Sequence, residues 1–492
     1  MVADISNKKL AIASVLLAAA NLMVVLDMTI ANVSVPHIAG GLAVSGNEGT
    51  YVITSYAVAE AISVPLTGWL ASRFGSLRVF CMAILLFGVF SAMCGMAMNL
   101  GFLVTSRVLQ GLAGGPIMPL AQTLLMLIFP KEKQMKAMAI WSMTTLVAPI
   151  LGPILGGFIC DAWGWPWIFL INIPLAILCS ICAWVLLKPF ETPLQKIKID
   201  IVGLLLLVVF VGSLQFMLDE GQKLDWFSSY EIIALAATAL LGFIAFLIWE
   251  LTEKNPIVDL QVFRYRGFTI SVLTISLTFG AFFGSIVLTP LWLQLNMDYT
   301  ATSAGFVMAM NGVFALMAAP IAAMMTGKFD LRKLVSIGIL WMAGVTFMRS
   351  FNSSDMTFFQ IAVPLLFQGI ALPFFFIPLS GLALSSVNPQ QIASAAGLMN
   401  FLRTLAGAFA TSIVTTAWNT QATVYRTDIV GVMQPHPEIP IALLNNMVES
   451  QSVVLATNHI FMRLTVVFVI AAIVVWFAPK PSQIANPMEA AH

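Results

Sequence analysis

This sequence predicts an all-α, polytopic membrane protein, and three observations predict it. Of its 492 residues, 60% are hydrophobic and only 9% charged, against about 25% charged in soluble domains. Apolar runs of about 20 residues, long enough to cross a bilayer as helices, recur along the chain. Lys and Arg also sort by side when those runs are taken as alternating crossings. Seventeen of the twenty-three fall on the side of the N-terminus, and four (Lys223, Arg349, Arg426 and Arg463) on the other. That asymmetry is expected when both termini are cytoplasmic.

Fourteen runs qualify: 10–33, 51–71, 79–99, 103–128, 137–160, 166–187, 201–219, 229–250, 268–293, 303–326, 334–350, 357–383, 393–418 and 459–478. Lys8, Lys9 and the alanines at 18–20 resemble a signal peptide. The apolar character continues to Val35, and loss of the first crossing would invert every later loop, so the first run is read as a retained span. The basic stretch 188–200 closes the sixth run and suits a link between two six-helix halves. The expected organisation is a bundle over 1–187, a linker with two extra crossings over 188–267, and a second bundle over 268–492. The long segment 419–458 falls on the side opposite the termini. Its Ile441, Leu444, Met447, Val448, Val454 and Leu455 fall near helical spacing, as in an interfacial amphipathic helix or a docking site for another protein.

Several function classes are disfavoured. A net charge of +1 leaves no footprint for nucleic acid. There is no GxxxxGK[ST] loop for ATP, and no HExxH or GxSxG; an enzyme is not expected, and no cofactor or metal is called for. The five cysteines lie in apolar runs, and the CxxC at Cys179 and Cys182 has no second pair, so packing is their expected role.

Charges inside the spans carry the functional reading. A charged group in hydrocarbon costs roughly 3 kcal/mol on insertion scales and needs a partner, a proton or water. Asp27 stands in an otherwise apolar first run, Glu60 near the middle of the second and Arg107 in the fourth. The first run rises and the fourth descends, which places Asp27 and Arg107 some 8 Å below the same surface and able to pair. Motion that changes their separation would change the affinity of the carboxyl for a proton. Gln110, one turn below Arg107, is a candidate for the substrate cavity, with Asn311, Gln368 and Arg403. In the thirteenth run Arg403 is expected to attract an anionic substrate or to anchor Gln368 and Asn311. Asn21, Gln122, Asn172 and Asn400 are read as interhelical polar contacts.

Backbone devices accompany the charges. Pro149 and Pro153 stand with Gly152, Gly156 and Gly157 in the fifth run; prolines kink helices, and glycines four apart admit a close neighbour. The pairs Gly111/Gly115 and Gly280/Gly284 repeat that spacing. The loop SRFGSLR (72–78) is echoed weakly by GKFDLRK (327–333) in the second half, as in transporters built from repeats.

Four stretches occur in order: LDMTIANVSVP (26–36), GWLASRFGSLR (68–78), RVLQGLAGG (107–115) and APILGPILGG (148–157). With WPWIFLINIP (165–174) and LDEGQKLDWFSS (218–229), they resemble the signatures of the major facilitator superfamily, specifically its fourteen-helix drug/proton antiporters, the EmrB/QacA family. The resemblance implies proton-driven export of hydrophobic compounds, weak acids or fatty acids among them, from the bacterial inner membrane. It implies proton roles at Asp27 and Glu60, and conformational roles for Gly68, Arg73, Gly75 and Arg78. It also implies a periplasmic, EmrA-like membrane-fusion adaptor and a TolC-like outer-membrane channel as partners. One departure is visible: the loop signature usually places Asp before the arginine at 73, where this chain has Ser72, which removes the expected acid of a loop-to-helix latch. Two rival readings stay open: solute uptake, and a sensor or assembly subunit without transport.

Overall fold

The computed structural model describes residues 7–129, 144, 148, 151–191, 194, 199–221, 223–254, 256–258, 260–326, 329–387, 392–432 and 440–479. Pro149, much of the fifth run, and Pro435 and Pro437 lie outside the described residues. Sixteen helices organise the described chain. In the first half these are α1 (Asn7–Gly41), α2 (Tyr51–Ser63), α3 (Thr67–Phe74), α4 (Ser76–Gly95), α5 (Leu100–Gly114), α6 (Ile117–Ile128), α7 (Leu151–Trp163) and α8 (Asn172–Leu187). Two inserted helices follow, α9 (Ile201–Glu220) and α10 (Tyr230–Thr252). The second half has α11 (Arg266–Asn296), α12 (Ala301–Thr326), α13 (Leu331–Met348), α14 (Phe358–Ser385), α15 (Ile392–Val432) and α16 (Ile441–Val474).

Eleven helices among the described residues are long and apolar enough to cross a membrane. The helix α2 breaks from α3 at Pro65, and α5 breaks from α6 at Gly115 and Pro116, so each pair makes one bent crossing. With α7 as a further crossing, the arrangement is compatible with fourteen. Caps fix several starts by accepting orphan backbone N–H groups: Asn99 from Phe102, Asp200 from Gly203, Ser229 from Glu231 and Asp330 from Arg332.

Two helix extents exceed expectation. Helix α1 passes through Pro36 to Gly41 instead of ending at 33, so Asp27 sits further from its helix end than the run length suggests. Segment 419–458 is not one external loop. Residues 419–432 prolong α15 and residues 441–458 open α16. Polar rungs join them: Trp418 Nε1 donates to Thr457 at 2.9 Å, Arg426 donates to Asn445 at 2.9 Å, and Tyr425 and His459 meet at 3.0 Å.

Large apolar side chains fill the interior of each half, and many others face outward as a lipid-crossing bundle requires. The expected glycine packing is present: an added Cβ at Gly152 or Gly156 would strike Thr29 or Ile30 of α1, and one at Gly111 would strike the α2 backbone. Gly157 faces the α12 backbone at Ala301, while Gly280 and Gly284 face α15.

The end of the bundle that carries the 42–50 turn is called the upper end. Among the described residues, the hydrogen bonds that join the two halves lie toward it. Asp161 accepts from the backbone N–H of Thr302 at 2.9 Å and from its hydroxyl. Gln294 donates to the Val33 carbonyl at 2.9 Å. The inserted helix α9 joins both halves there. The Asp219 carboxylate accepts from Thr54 of α2 at 3.1 Å and from Ser412 of α15, with Gln215 donating to it at 2.8 Å. Beside it the Tyr51 hydroxyl donates to Glu220 at 2.5 Å.

Candidate functional site

The first half converges on one carboxylate. Asp27 of α1 is 2% exposed and Arg107 of α5 is 1% exposed. Arg107 Nη1 donates to Asp27 Oδ2 at 2.5 Å, a fully buried ion pair. Two amides complete the carboxylate's shell: Gln110 Nε2 donates to Oδ1 at 3.1 Å, and Asn172 Nδ2 of α8 donates to the same oxygen at 2.7 Å. Arg107 also donates to Gln110 Oε1 at 2.9 Å and, through Nε, to the Val52 carbonyl of α2 at 3.0 Å. Its guanidinium lies 4.2 Å from the Tyr56 ring centroid and 5.4 Å from that of Phe169, a favourable face for a cation.

An outer ring holds these groups in place. Asn172 donates to Ser91 at 3.1 Å, and Ser91 donates to the Phe169 carbonyl at 2.8 Å. Cys94 donates weakly to Gln110 Oε1 at 3.4 Å. Helices α1, α2, α4, α5 and α8 thus meet at a single acid. Fully satisfied buried networks of this kind fix one arrangement, because removing any member strands another.

Glu60 of α2 is also buried, at 4% exposure. Among the described residues nothing donates a hydrogen bond to its carboxylate. Across the interface Arg403 of α15 lies close enough for the two charges to act on one another. The Arg403 guanidinium is flanked by Phe279, 5.0 Å from the ring centroid, and by Phe376, at 5.5 Å. An acid from one half and an arginine from the other therefore face the same central region, walled by aromatic rings.

The expectation that Arg403 anchors Gln368 and Asn311 is corrected. Gln368 of α14 instead accepts, through Oε1, from Arg349 Nη1 at 3.0 Å. Arg349, counted by sequence with the charges on the side opposite the termini, is 4% exposed. Asn311 of α12 is buried beside Gly369, its carbonyl directly facing that glycine. Gln110, expected in a substrate cavity, is committed to the Asp27 shell.

The loop motif finds its acid elsewhere in the chain. Gly75 has φ +93°, a conformation natural to glycine, and the Glu191 carboxylate lies directly against it. Glu191 accepts from the backbone N–H groups of Leu77 at 3.0 Å and Arg78 at 3.1 Å, and the Arg78 side chain lies 3.8 Å away. The first turn of α4 is thus capped by an acid from beyond α8. Arg73 is exposed in the last turn of α3, and an added Cβ at Gly68 would meet open space. Pro153 presents its carbonyl to Gly305 of α12.

Asn172, Glu191 and Arg349 were not singled out for these roles from sequence. The available signal for Asn172 was its place in WPWIFLINIP, at the depth where an acid from α1 needs a donor. The Glu191 contact spans more than one hundred residues, and no local pattern announces it.

Comparison with known proteins agrees with this architecture. The model of the Major Facilitator Superfamily matches residues 17–411. The chain is 43% identical to the multidrug export protein EmrB of Haemophilus influenzae, over 94% of this chain and 95% of that one. It is 41% identical to the fatty acid resistance protein FarB of Neisseria gonorrhoeae, over 93% and 94% of the two chains. A solved POT family transporter in complex with a thioalcohol-conjugated peptide shares the fold, with a TM-score of 0.67 at 15% identity, covering 96% of each chain. The bent, paired bundles, the buried intramembrane charges and these matches give one conclusion: the chain belongs to the major facilitator superfamily.

Proposed function

We propose that this chain exports hydrophobic compounds in exchange for protons across the bacterial inner membrane. The observation that carries the reading is the Asp27 carboxylate, buried among five helices and held by one guanidinium and two amides. A carboxylate in contact with a guanidinium gives up its proton; separated from it, it takes one up. Rocking of the two halves would change that contact. The inter-half bonds at the upper end support a closed periplasmic side in the present arrangement, with the termini cytoplasmic. Glu60 is the second proposed proton group, and Arg403 with Phe279 and Phe376 the proposed seat of an amphiphilic substrate. Relatives named for multidrug export and fatty acid resistance fit such a substrate class.

Substrate-driven proton release from the purified protein tests the exchange, because ligand and proton compete in an exchanger. Asp27→Asn is expected to insert normally and to lose proton-driven export in proteoliposomes by about 100-fold, equivalent to about 2.7 kcal/mol. Full export by that variant removes Asp27 from the mechanism. Proton uptake together with substrate would favour the rival reading of solute import.

We further propose that the upper extensions of α15 and α16 contact a periplasmic EmrA-like adaptor, leading to a TolC-like outer-membrane channel. These extensions expose Val430, Val432, Ile441, Leu443 and Met447, a set of apolar groups suited to a protein partner. Deleting residues 423–450 is expected to preserve exchange in vesicles while cellular resistance is lost. Unchanged resistance would refute the contact.

A further inference from the structure

The second half has the donors of the Asp27 site without its acid. None of the sequence segments 266–296, 301–326, 331–348, 358–385, 392–418 and 459–474 contains an Asp or a Glu. Arg349, at the upper end of α13, is nonetheless buried. Its partners are all neutral: Nη1 donates to Ser285 at 2.9 Å and to Gln368 Oε1 at 3.0 Å, and Nη2 donates to Thr289 at 2.6 Å. The face of Phe461 lies 4.2 Å from the guanidinium carbon. Among the described residues no carboxylate forms an ion pair with it. Arg332, also buried, pairs with Asp330, and Arg403 lies within the field of Glu60.

Gln368 supplies the second observation. It is 1% exposed, its Oε1 is held by Arg349, and its Nε2 has no acceptor among the described residues. The counterpart in the first half shows what such an amide serves. Gln110 stands on the fourth crossing of its half, as Gln368 does on the fourth crossing of the other. Gln110 Oε1 also accepts from an arginine, and its Nε2 donates to the Asp27 carboxylate. Asp27 belongs to the first crossing; Ser285 and Thr289 belong to the first crossing of the second half and bring hydroxyls in its place. An arginine stays charged in proteins, and a buried charge without a counter-charge is costly.

We propose that Arg349 and Gln368, with Ser285, form a binding site for a small monovalent anion, either chloride or the carboxylate of an amphiphilic acid. The anion takes the part that Asp27 plays in the first half: it neutralises the guanidinium and accepts from the free amide. The proposal is independent of the direction and coupling of transport, and its test measures binding alone.

The test uses the full chain in nanodiscs of neutral lipid. Sulfate is replaced at constant ionic strength by chloride in one arm and by hexanoate in the other, with hexanamide as the uncharged control. The thermal unfolding midpoint is read as a function of anion concentration. A saturable rise of about 2 °C or more is expected in at least one arm, since a ligand of the native state stabilises it. A response to chloride alone identifies an inorganic ion. A response to hexanoate and not to hexanamide identifies a carboxylate. Gln368→Leu, which keeps the Arg349 charge and its bonds to Ser285 and Thr289, is expected to weaken the apparent affinity about tenfold, and Arg349→Lys to retain part of the response. No saturable response in either arm, as a plain amide contact between Gln368 and Asn311 would give, overturns the proposal. A response of undiminished affinity in Gln368→Leu also overturns it, because the anion then binds elsewhere.

Discussion

The two halves solve the same problem with opposite stocks of charge. Each buries an arginine toward its upper end, rests it on an aromatic face and gives it a glutamine from the fourth crossing. In the first half that arginine meets a carboxylate at 2.5 Å; in the second it meets hydroxyls and an amide oxygen. The first half pairs its arginine internally. The second carries a charge that no described residue cancels. The difference teaches that twofold architecture can be kept while the buried charges diverge: one half closes an ion pair, and the other sets a guanidinium among neutral groups.

Stability measurements should break the comparison first where charges are paired. Arg107→Leu leaves Asp27 buried without its cation and is expected to cost about 3–5 kcal/mol, read by denaturant titration in mixed micelles. The double variant with Asp27→Leu should cost less than the sum of the two single changes, because neither charge is then left without its partner; additivity would show that the pair is not coupled. Arg349→Leu should behave differently. In anion-free buffer it removes an uncompensated charge together with three hydrogen bonds, effects of opposite sign, and the net cost is expected to be about 1 kcal/mol or less. A cost equal to that of Arg107→Leu would mean that the second half is as fully paired as the first. A saturating anion should widen the gap between wild type and Arg349→Leu.

Much of this was legible in the sequence, for reasons that differ by element. Runs of about 20 apolar residues declare their crossings because nothing else satisfies backbone polarity in lipid. Asp27 and Arg107 declared each other because lone charges in spans need partners and the alternation of direction set their depth. Arg349 stayed hidden since it directly follows the apolar end of α13, where an arginine reads as an interfacial charge. The reach of α1 stayed hidden because Pro36, a usual stop in soluble helices, is tolerated among packed neighbours. The reach of α15 was obscured by polar residues at 415–427 that look like a loop. Their threonine and asparagine side chains instead donate to carbonyls four residues earlier within the helix, at 2.8–3.0 Å. Ser72 marked the absence of the loop acid, but nothing local announced that Glu191 caps the start of α4.

The echo between SRFGSLR and GKFDLRK gives the smallest and most local test of the comparison. Both loops tie the start of a third crossing to the chain beyond a sixth. Glu191, beyond α8, caps α4 in the first half. In the second, Arg332 of α13 donates to the Ala478 carbonyl beyond α16 at 3.1 Å and pairs with Asp330 at 3.0 Å. The hydrogen bond from the Arg332 side chain, aided by the backbone N–H of Arg332, holds the Asp330 carboxyl below the ordinary carboxylate range. A depressed carboxyl stabilises the fold above its unfolded value of about 3.9 and loses that contribution as pH falls through its folded value. The pair is partly solvated, so the effect should stay below about 1 kcal/mol. Asp330→Asn is therefore expected to lower the unfolding midpoint slightly at pH 7 and by less at pH 3. A variant equally destabilised at both pH values would show that Asp330 acts through its cap to the Arg332 backbone rather than through charge, and the likeness between the two loops would then be one of shape alone.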